Sequence, residues 1–109
     1  MLARLASPAP TQKGQAHLLI RDLWNVPLHL LDEERLERTL RAGLGSRAAA
    51  AVWIRHRFTP HGLSLVGVGS TIRVALHTWP ERRTLSFDAY GTDPELEMLF
   101  TRCLDAFLT

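Results

Sequence analysis

Lysine is almost missing from this chain: Lys13 is the only one, and the remaining basic side chains are arginines. A Walker A loop needs a lysine inside the fold, as does a pyridoxal phosphate Schiff base, and neither can be built from a lysine in a terminal tail. Cysteine is equally scarce. Cys103 stands alone, so no disulfide forms within the chain and a reducing compartment suits it. It sits between Phe100 and Phe107 on an apolar helical pattern, which reads as a small buried residue and not a reactive thiol. No apolar run approaches the roughly 20 residues that span a bilayer. Charge of one sign is also lacking. The net charge of +2 with thirteen basic and eleven acidic residues gives no strong basic field, and no nucleic-acid motif accompanies the local pairs Arg82-Arg83 and Arg55/Arg57. Those pairs read as a solvated face or an interface rim. The histidines His17, His29, His56 and His61 lack metal-ligand spacing with thiols or carboxylates, so they read as surface or turn residues and no metal is expected.

What is present is enough for one hydrophobic core. At 109 residues and 46% hydrophobic content the chain is a single globular domain. Met1 to Pro10 carries two prolines and no sustained apolar stretch. Residues 1–15 therefore read as a flexible tail and not a signal peptide, with the folded domain at 16–109 and a cytoplasmic location expected.

His17 to Trp24 is a short strand-like run, interrupted by Asn25-Val26-Pro27. Asp32 can cap a helix whose first turn carries Glu33 and Glu34; Leu36, Leu40 and Leu44 line one face, and Gly43 or Gly45 ends it. Ala50 to Phe58 alternates, with Val52, Ile54 and Phe58 on one side and Trp53, Arg55 and Arg57 on the other. That pattern predicts a half-buried strand with a wet or partner-facing side. After the turn Thr59-Pro60-His61-Gly62, Leu63 to Gly69 and Ile72 to His77 form a hairpin around Ser70-Thr71. A two-residue turn there puts Ser64 directly across from His77. Thr84 to Tyr90 supplies another strand. Asp93-Pro94-Glu95 predicts an N-cap aspartate with proline at the first helical position, followed by an apolar face of Leu96, Leu99, Phe100, Cys103, Leu104 and Phe107. The expected fold is α+β: a two-layer sandwich of an antiparallel sheet with two helices on one face.

The segment Leu76-His77-Thr78-Trp79-Pro80-Glu81 closely resembles the IHTWPE signature of the pyruvoyl-dependent S-adenosylmethionine decarboxylases, prokaryotic type. The opening run His17 to Trp24 resembles that family's HLLVDLYG-like strand with one extra residue near Arg21. Phe58-Thr59-Pro60-His61-Gly62-Leu63-Ser64-Leu65 resembles its FSPQGVSG turn, and from Phe58 to His77 the register needs no insertion or deletion. The likeness covers roughly His17 to Phe107 and is densest from Phe58 to Asp88.

The resemblance implies a site shared between two repeats or two subunits. One set of its residues is matched: Phe58 for the adenine-stacking ring, Ser64 and His77 for the processing serine and histidine, Glu81 for the ribose carboxylate, with Trp79 beside them. The other set is replaced. Thr71-Ile72 stands where the family has the Glu-Ser pair whose serine becomes the pyruvoyl group, and Thr92 stands where its catalytic cysteine would be. Isoleucine has no hydroxyl to attack the preceding carbonyl, and without a pyruvoyl carbonyl no residue here supplies an electron sink. Thr92 is too weakly acidic to protonate a product carbanion.

What this implies is a catalytically degenerate family member linked to spermidine biosynthesis. It would need no external cofactor, bind an S-adenosylmethionine-like molecule, and form a homodimer or a heterodimer with an active paralogue, without nucleic acid or membrane as partner. Two other readings stand beside it: a working pyruvoyl-dependent decarboxylase, acting on S-adenosylmethionine or another amino acid and processed at an unexpected serine such as Ser70, and a non-enzymatic homodimeric interaction or ligand-sensing module. Ser70 itself reads as turn polarity. Ser64, His77 and Asp88 superficially suggest a hydrolase triad, but no nucleophile elbow supports one.

Overall fold

A computed structural model of the chain describes residues 15–109. The expected tail, apart from Gln15, and Lys13 lie outside the described residues. Five strands form one sheet: β1 (His17–Leu23), β2 (Val52–Arg57), β3 (Leu63–Val68), β4 (Ile72–Trp79) and β5 (Thr84–Gly91). Their spatial order is β1-β5-β4-β3-β2, with every neighbouring pair antiparallel. Helix α1 (Glu33–Leu44), the short α2 (Ser46–Ala50) and α3 (Leu96–Phe107) complete the fold. The long helices cover one face of the sheet, which gives the expected α+β sandwich.

Each long helix forms for reasons visible in its sequence. Asp32 caps α1, accepting from the Arg35 amide at 2.9 Å, and Glu33 and Glu34 complement the dipole in the first turn. Gly45 closes α1 with φ +61°, a backbone that side chains disfavour, and its amide bonds back to Arg41 and Ala42. Leu36, Leu40 and Leu44 are all buried. On α3 the six apolar residues at helical spacing are buried as expected. Phe100 stacks on Phe87 of β5, and Phe107 meets the same ring edge-on, both at 5.1 Å between centroids. The two helices cross closely at Gly43, where an added Cβ would lie 2.5 Å from Cys103 Sγ. Burial there pushes the Cys103 thiol up to about 11, as an inert core residue requires.

Three local expectations are corrected. The first concerns Asp93, which does not begin the helix; α3 starts at Leu96. Asp93 is buried instead, and its carboxylate accepts Arg47 Nε at 2.6 Å, Arg47 Nη2 at 3.1 Å, Thr71 Oγ1 at 2.9 Å and the Glu95 amide at 3.0 Å. A carboxylate so well supplied with donors serves as a tertiary clamp, tying α2 and the β3–β4 turn to the entry of α3.

The second concerns β2. Its apolar side is the uncovered one: Val52 is 67% and Ile54 60% exposed. Trp53, Arg55 and Arg57 lie on the helix side, where Arg55 pairs with Glu37 and Arg57 with Glu33. Trp53 donates to the Ala48 carbonyl and sits under the Arg41 guanidinium at 4.4 Å. Arg55 and Arg57 nonetheless stay exposed and only Trp53 is half-buried, so in place of the expected half-buried strand β2 is an edge strand largely open on both sides, its arginines drawn to the acidic flank of α1. Third, His17 is buried at 6% exposure and not a surface residue.

The Arg47 hydrogen bonds, then the Glu95 amide and Thr71, hold the Asp93 carboxyl below the usual carboxylate range against the opposing effect of burial. A carboxylate lowered in the folded state stabilises the protein above its unfolded value of about 3.9, and that contribution is lost as pH falls through the folded value. Arg47→Ala is expected to cost about 2–3 kcal/mol at pH 7, with the deficit shrinking below about pH 4. Urea unfolding at both pH values reads the difference; a deficit independent of pH would contradict the clamp.

Candidate functional site

Strand alternation decides which residues can meet. Along β4, Ile72, Val74, Leu76 and Thr78 point under the helices, while Arg73, Ala75, His77 and Trp79 point to the open face. The strand registers extend this into three rows across the open face. One runs Leu18, Tyr90, Arg73, Val68, Val52; the next Ile20, Asp88, Ala75, Val66, Ile54; the third Asp22, Ser86, His77, Ser64, His56. The first two are mainly apolar and the third is wholly polar.

The expected pairing of Ser64 with His77 is present in the register, and Ser64 Oγ lies 2.7 Å from His77 Nδ1. A hydroxyl bonded at Nδ1 leaves Nε2 as the second working nitrogen of the ring, and the tautomer sets which partner donates. Trp79 follows two residues on, its ring 6.2 Å from the imidazole, and is 42% exposed. Phe58, 49% exposed, leaves the end of β2 and packs edge-on against His56 at 4.5 Å. Neither aromatic is a core residue. Pro80–Arg82 forms a single 3-10 turn that presents Glu81, and Arg83 exits it with φ +50°.

Two less obvious residues hold this end together. The Thr78 hydroxyl, buried between strands, accepts the Leu63 amide at 3.0 Å and pins the start of β3 to the end of β4. Gly62 has φ +112°, and a Cβ there would come within 3.1 Å of the Thr78 carbonyl oxygen; its own carbonyl accepts the Phe58 amide at 2.9 Å. The turn that aims Phe58 therefore depends on glycine. Phe58, Ser64, His77, Thr78, Trp79 and Glu81 surround a cavity of about 440 Å³, with His61 as a further wall. Sequence reasoning assigned His61 to a turn. Its position between Phe58 and Gly62 was the signal that it could face the same space.

Ile72 and Thr92 meet at the opposite end of the sheet, beside a separate hollow of about 290 Å³ that Ser70, Thr71 and Gly91 also line. The Ile72 side chain is buried in the core. The Thr71 carbonyl accepts the amides of Thr92 and Asp93 at 2.9 and 3.0 Å, and the Gly69 amide donates to the Ile72 carbonyl at 2.8 Å. Gly91, paired with Ile72, has no room for a side chain: a Cβ would overlap the Thr71 carbonyl oxygen. Seven residue steps of extended β4 separate Ile72 from Trp79, about 23 Å. One chain cannot bring both ends to one small ligand.

Two larger hollows, each about 580 Å³, lie elsewhere: one between His17 and the start of α3, the other over Met98 and Arg102 on the outer side of α3. Neither contains Phe58, Ser64, His77, Trp79 or Glu81, so the smaller cavity is the better candidate on chemical grounds. Asp88 does not complete a triad. It makes no hydrogen bond to His77, and burial raises its carboxyl while His77 and Arg73 partly offset that rise. Among the described residues no group of three His, Cys, Asp or Glu side chains could hold a metal ion. Nor is any helix among them long and apolar enough to cross a membrane.

This architecture, with its HTWPE strand end and open sheet face, is that of a known class of α+β proteins. Residues 17–107 match the S-adenosylmethionine decarboxylase family, and the chain belongs to that family. An S-adenosylmethionine decarboxylase proenzyme of Methanococcus aeolicus is 32% identical over 74 residues, covering 66% of this chain and 63% of the relative. A protein of the same name from Hydrogenobaculum sp. is 30% identical over 77 residues, covering 66% and 55%. One from Synechococcus sp. is 30% identical over 73 residues, covering 65% and 57%. The chain thus spans 55–63% of the length of these three relatives.

Gly62→Ala is expected to lower stability by about 1–2 kcal/mol, because the positive φ cannot relax against the Thr78 carbonyl. Chemical denaturation measures it. A neutral substitution would mean that the Phe58 turn is not held by this contact.

Proposed function

We propose that this chain is an unprocessed S-adenosylmethionine decarboxylase-family protein of polyamine biosynthesis that keeps the nucleoside-binding half of a shared site. The observation that carries this reading is the division of residues along the sheet. Phe58, Ser64, His77, Trp79 and Glu81 gather at one end around a cavity, and Ile72 and Thr92 gather at the other. Phe58 and Trp79 offer flat apolar faces to a purine, and the Glu81 carboxylate can accept from both ribose hydroxyls. The second half of the site would come from a partner across the open face, either another copy or an active family member.

A pyruvoyl group does not fit this chain at Ile72. The residue has no hydroxyl to attack the Thr71 carbonyl, and its side chain fills the core under the helices. The Thr71 carbonyl oxygen is engaged by two amides in the hairpin that Asp93 and Arg47 brace. We infer that the Thr71-Ile72 peptide stays intact and that the chain by itself decarboxylates nothing. His77 and Ser64 could still move a proton for chemistry centred on a partner chain.

Intact-mass spectrometry of the purified protein is expected to give one uncleaved chain. Two fragments split between Thr71 and Ile72, the second with a pyruvoyl-blocked end, would overturn the reading. Calorimetry with S-adenosylmethionine is expected to show binding that Phe58→Ala or Glu81→Gln weakens by about 5–30-fold, the equivalent of roughly 1–2 kcal/mol. Unchanged affinity in both variants would remove the cavity from consideration.

A further inference from the structure

The hollow of about 290 Å³ beside the β3–β4 turn holds chemistry that the half-site at the other end of β4 does not use. Among the described residues that line it, Arg73 is the one charged side chain. It faces Tyr90 directly across β4 and β5, and its guanidinium lies 4.9 Å over the phenol ring. Such stacking occupies one flat side of the guanidinium and leaves its N–H edge open. No carboxylate is in salt-bridge contact with Arg73. The hydroxyls of Ser70 and Thr92 line the same hollow and have no hydrogen bond among the described residues. An oriented cation and two uncommitted hydroxyls around one concave space make a set of donors without an acceptor.

The rim is held before any ligand arrives. The Gly69 amide closes the turn onto the Ile72 carbonyl at 2.8 Å, and the Thr71 hydroxyl is bound to Asp93 at 2.9 Å. The Thr92 amide donates to the Thr71 carbonyl, also at 2.9 Å. Ser70 and Thr92 therefore stand on two segments that are tied to each other, and a guest gains their contacts without ordering a loop.

Size and charge narrow the guest. The hollow lies at the lower edge of the roughly 300–1,000 Å³ found for drug-sized ligands, so its guest is small. Other charges near Arg73 are Asp88, diagonal to it on β5, and Asp93 behind the turn, which Arg47 already pairs. One cation with a carboxylate beside it suits a single negative charge, and a dianion would be left half-neutralised. The planar edge of a guanidinium matches a planar carboxylate through two parallel hydrogen bonds. Val68 and the Tyr90 ring supply an apolar wall for a short carbon chain.

We propose that this hollow binds a small monocarboxylate, its oxygens on the Arg73 edge and the Ser70 and Thr92 hydroxyls, its carbon chain against Val68 and Tyr90. The site does not rest on the half-site reading, since it shares no residue with the Phe58–Glu81 cavity.

Amide NMR of the full chain, titrated with sodium propionate at constant ionic strength, is the test. Saturable shifts at Gly69, Ser70, Gly91 and Thr92 are expected, with a Kd of about 1–10 mM. Arg73→Gln is expected to weaken binding at least about tenfold, and Ser70→Ala about two- to fivefold. Arg73→Lys keeps the charge but loses the fork, and a loss of about three- to tenfold is expected. The amide spectrum of each variant also reports that it is folded. Propionamide, of the same shape without the charge, is expected to leave these amides unmoved.

Shifts that do not saturate would overturn the proposal, as would an equal response to propionamide or an unchanged affinity in Arg73→Gln. Inorganic phosphate that binds as tightly as propionate would overturn the assignment to a monocarboxylate. Adenosine, which has no carboxylate, separates this site from the half-site. It is expected to move the amides of Gly62 and Glu81 and not those of Ser70 and Gly91, so that either site can fail without the other.

Discussion

The register between β3 and β4 is the constraint on which the rest of this structure depends. Side chains alternate across a sheet, so a slip of one residue would turn His77 and Trp79 under the helices and expose Leu76 and Thr78. Four features oppose that slip. Ser70-Thr71 forms a turn short enough to fix the pairing, with the Gly69 amide closed onto the Ile72 carbonyl. At the far end of the same pair the Thr78 hydroxyl holds the Leu63 amide. Leu63, Leu65, Val74 and Leu76 are all but fully buried beneath the helices and would be brought to the surface. Asp93 grips the turn through Thr71 and hands that restraint to Arg47. The row of Ser64 and His77 is thus positioned by packing on the opposite face of the sheet.

The same restraint bears on the pair Thr71-Ile72. In a chain that cleaves itself there, the peptide must be open to attack. Here the peptide is part of a braced hairpin, its carbonyl is engaged twice, and the side chain that follows belongs to the core. Ile72 thus contributes its packing to the fold, and a serine in its place would leave a polar group in an apolar space.

Much of the fold was legible because its signals are local. The cap at Asp32, the leucines of α1, the Ser64–His77 register and the six apolar positions of α3 each follow from spacing of a few residues. The misreadings share the opposite character. Val52 and Ile54 look like a buried side until Glu33 and Glu37, some twenty residues earlier, attract Arg57 and Arg55 to the helix face. Asp93 looks like a helix cap until Arg47, 46 residues away, takes its carboxylate. His17 looks like a surface residue because nothing near it in sequence reveals that this end of β1 is buried. Of the residues around the candidate cavity, the motif residues were named from the sequence, whereas His61 was not, since its place in the wall depends on how the turn before β3 folds.

The sequence by itself determined the class of fold and the family, because these are carried by residue identity and short-range periodicity. Only the tertiary structure decided that Ile72 and Thr92 lie at one end of the sheet and His77, Trp79 and Glu81 at the other, Ile72 and Trp79 being about 23 Å apart by the rise of an extended chain. It also decided that the apolar side of β2 is left open and that Asp88 stands there among apolar neighbours. The physical reason is that alternation fixes which residues share a face, while long-range ion pairs and helix packing choose which face is covered.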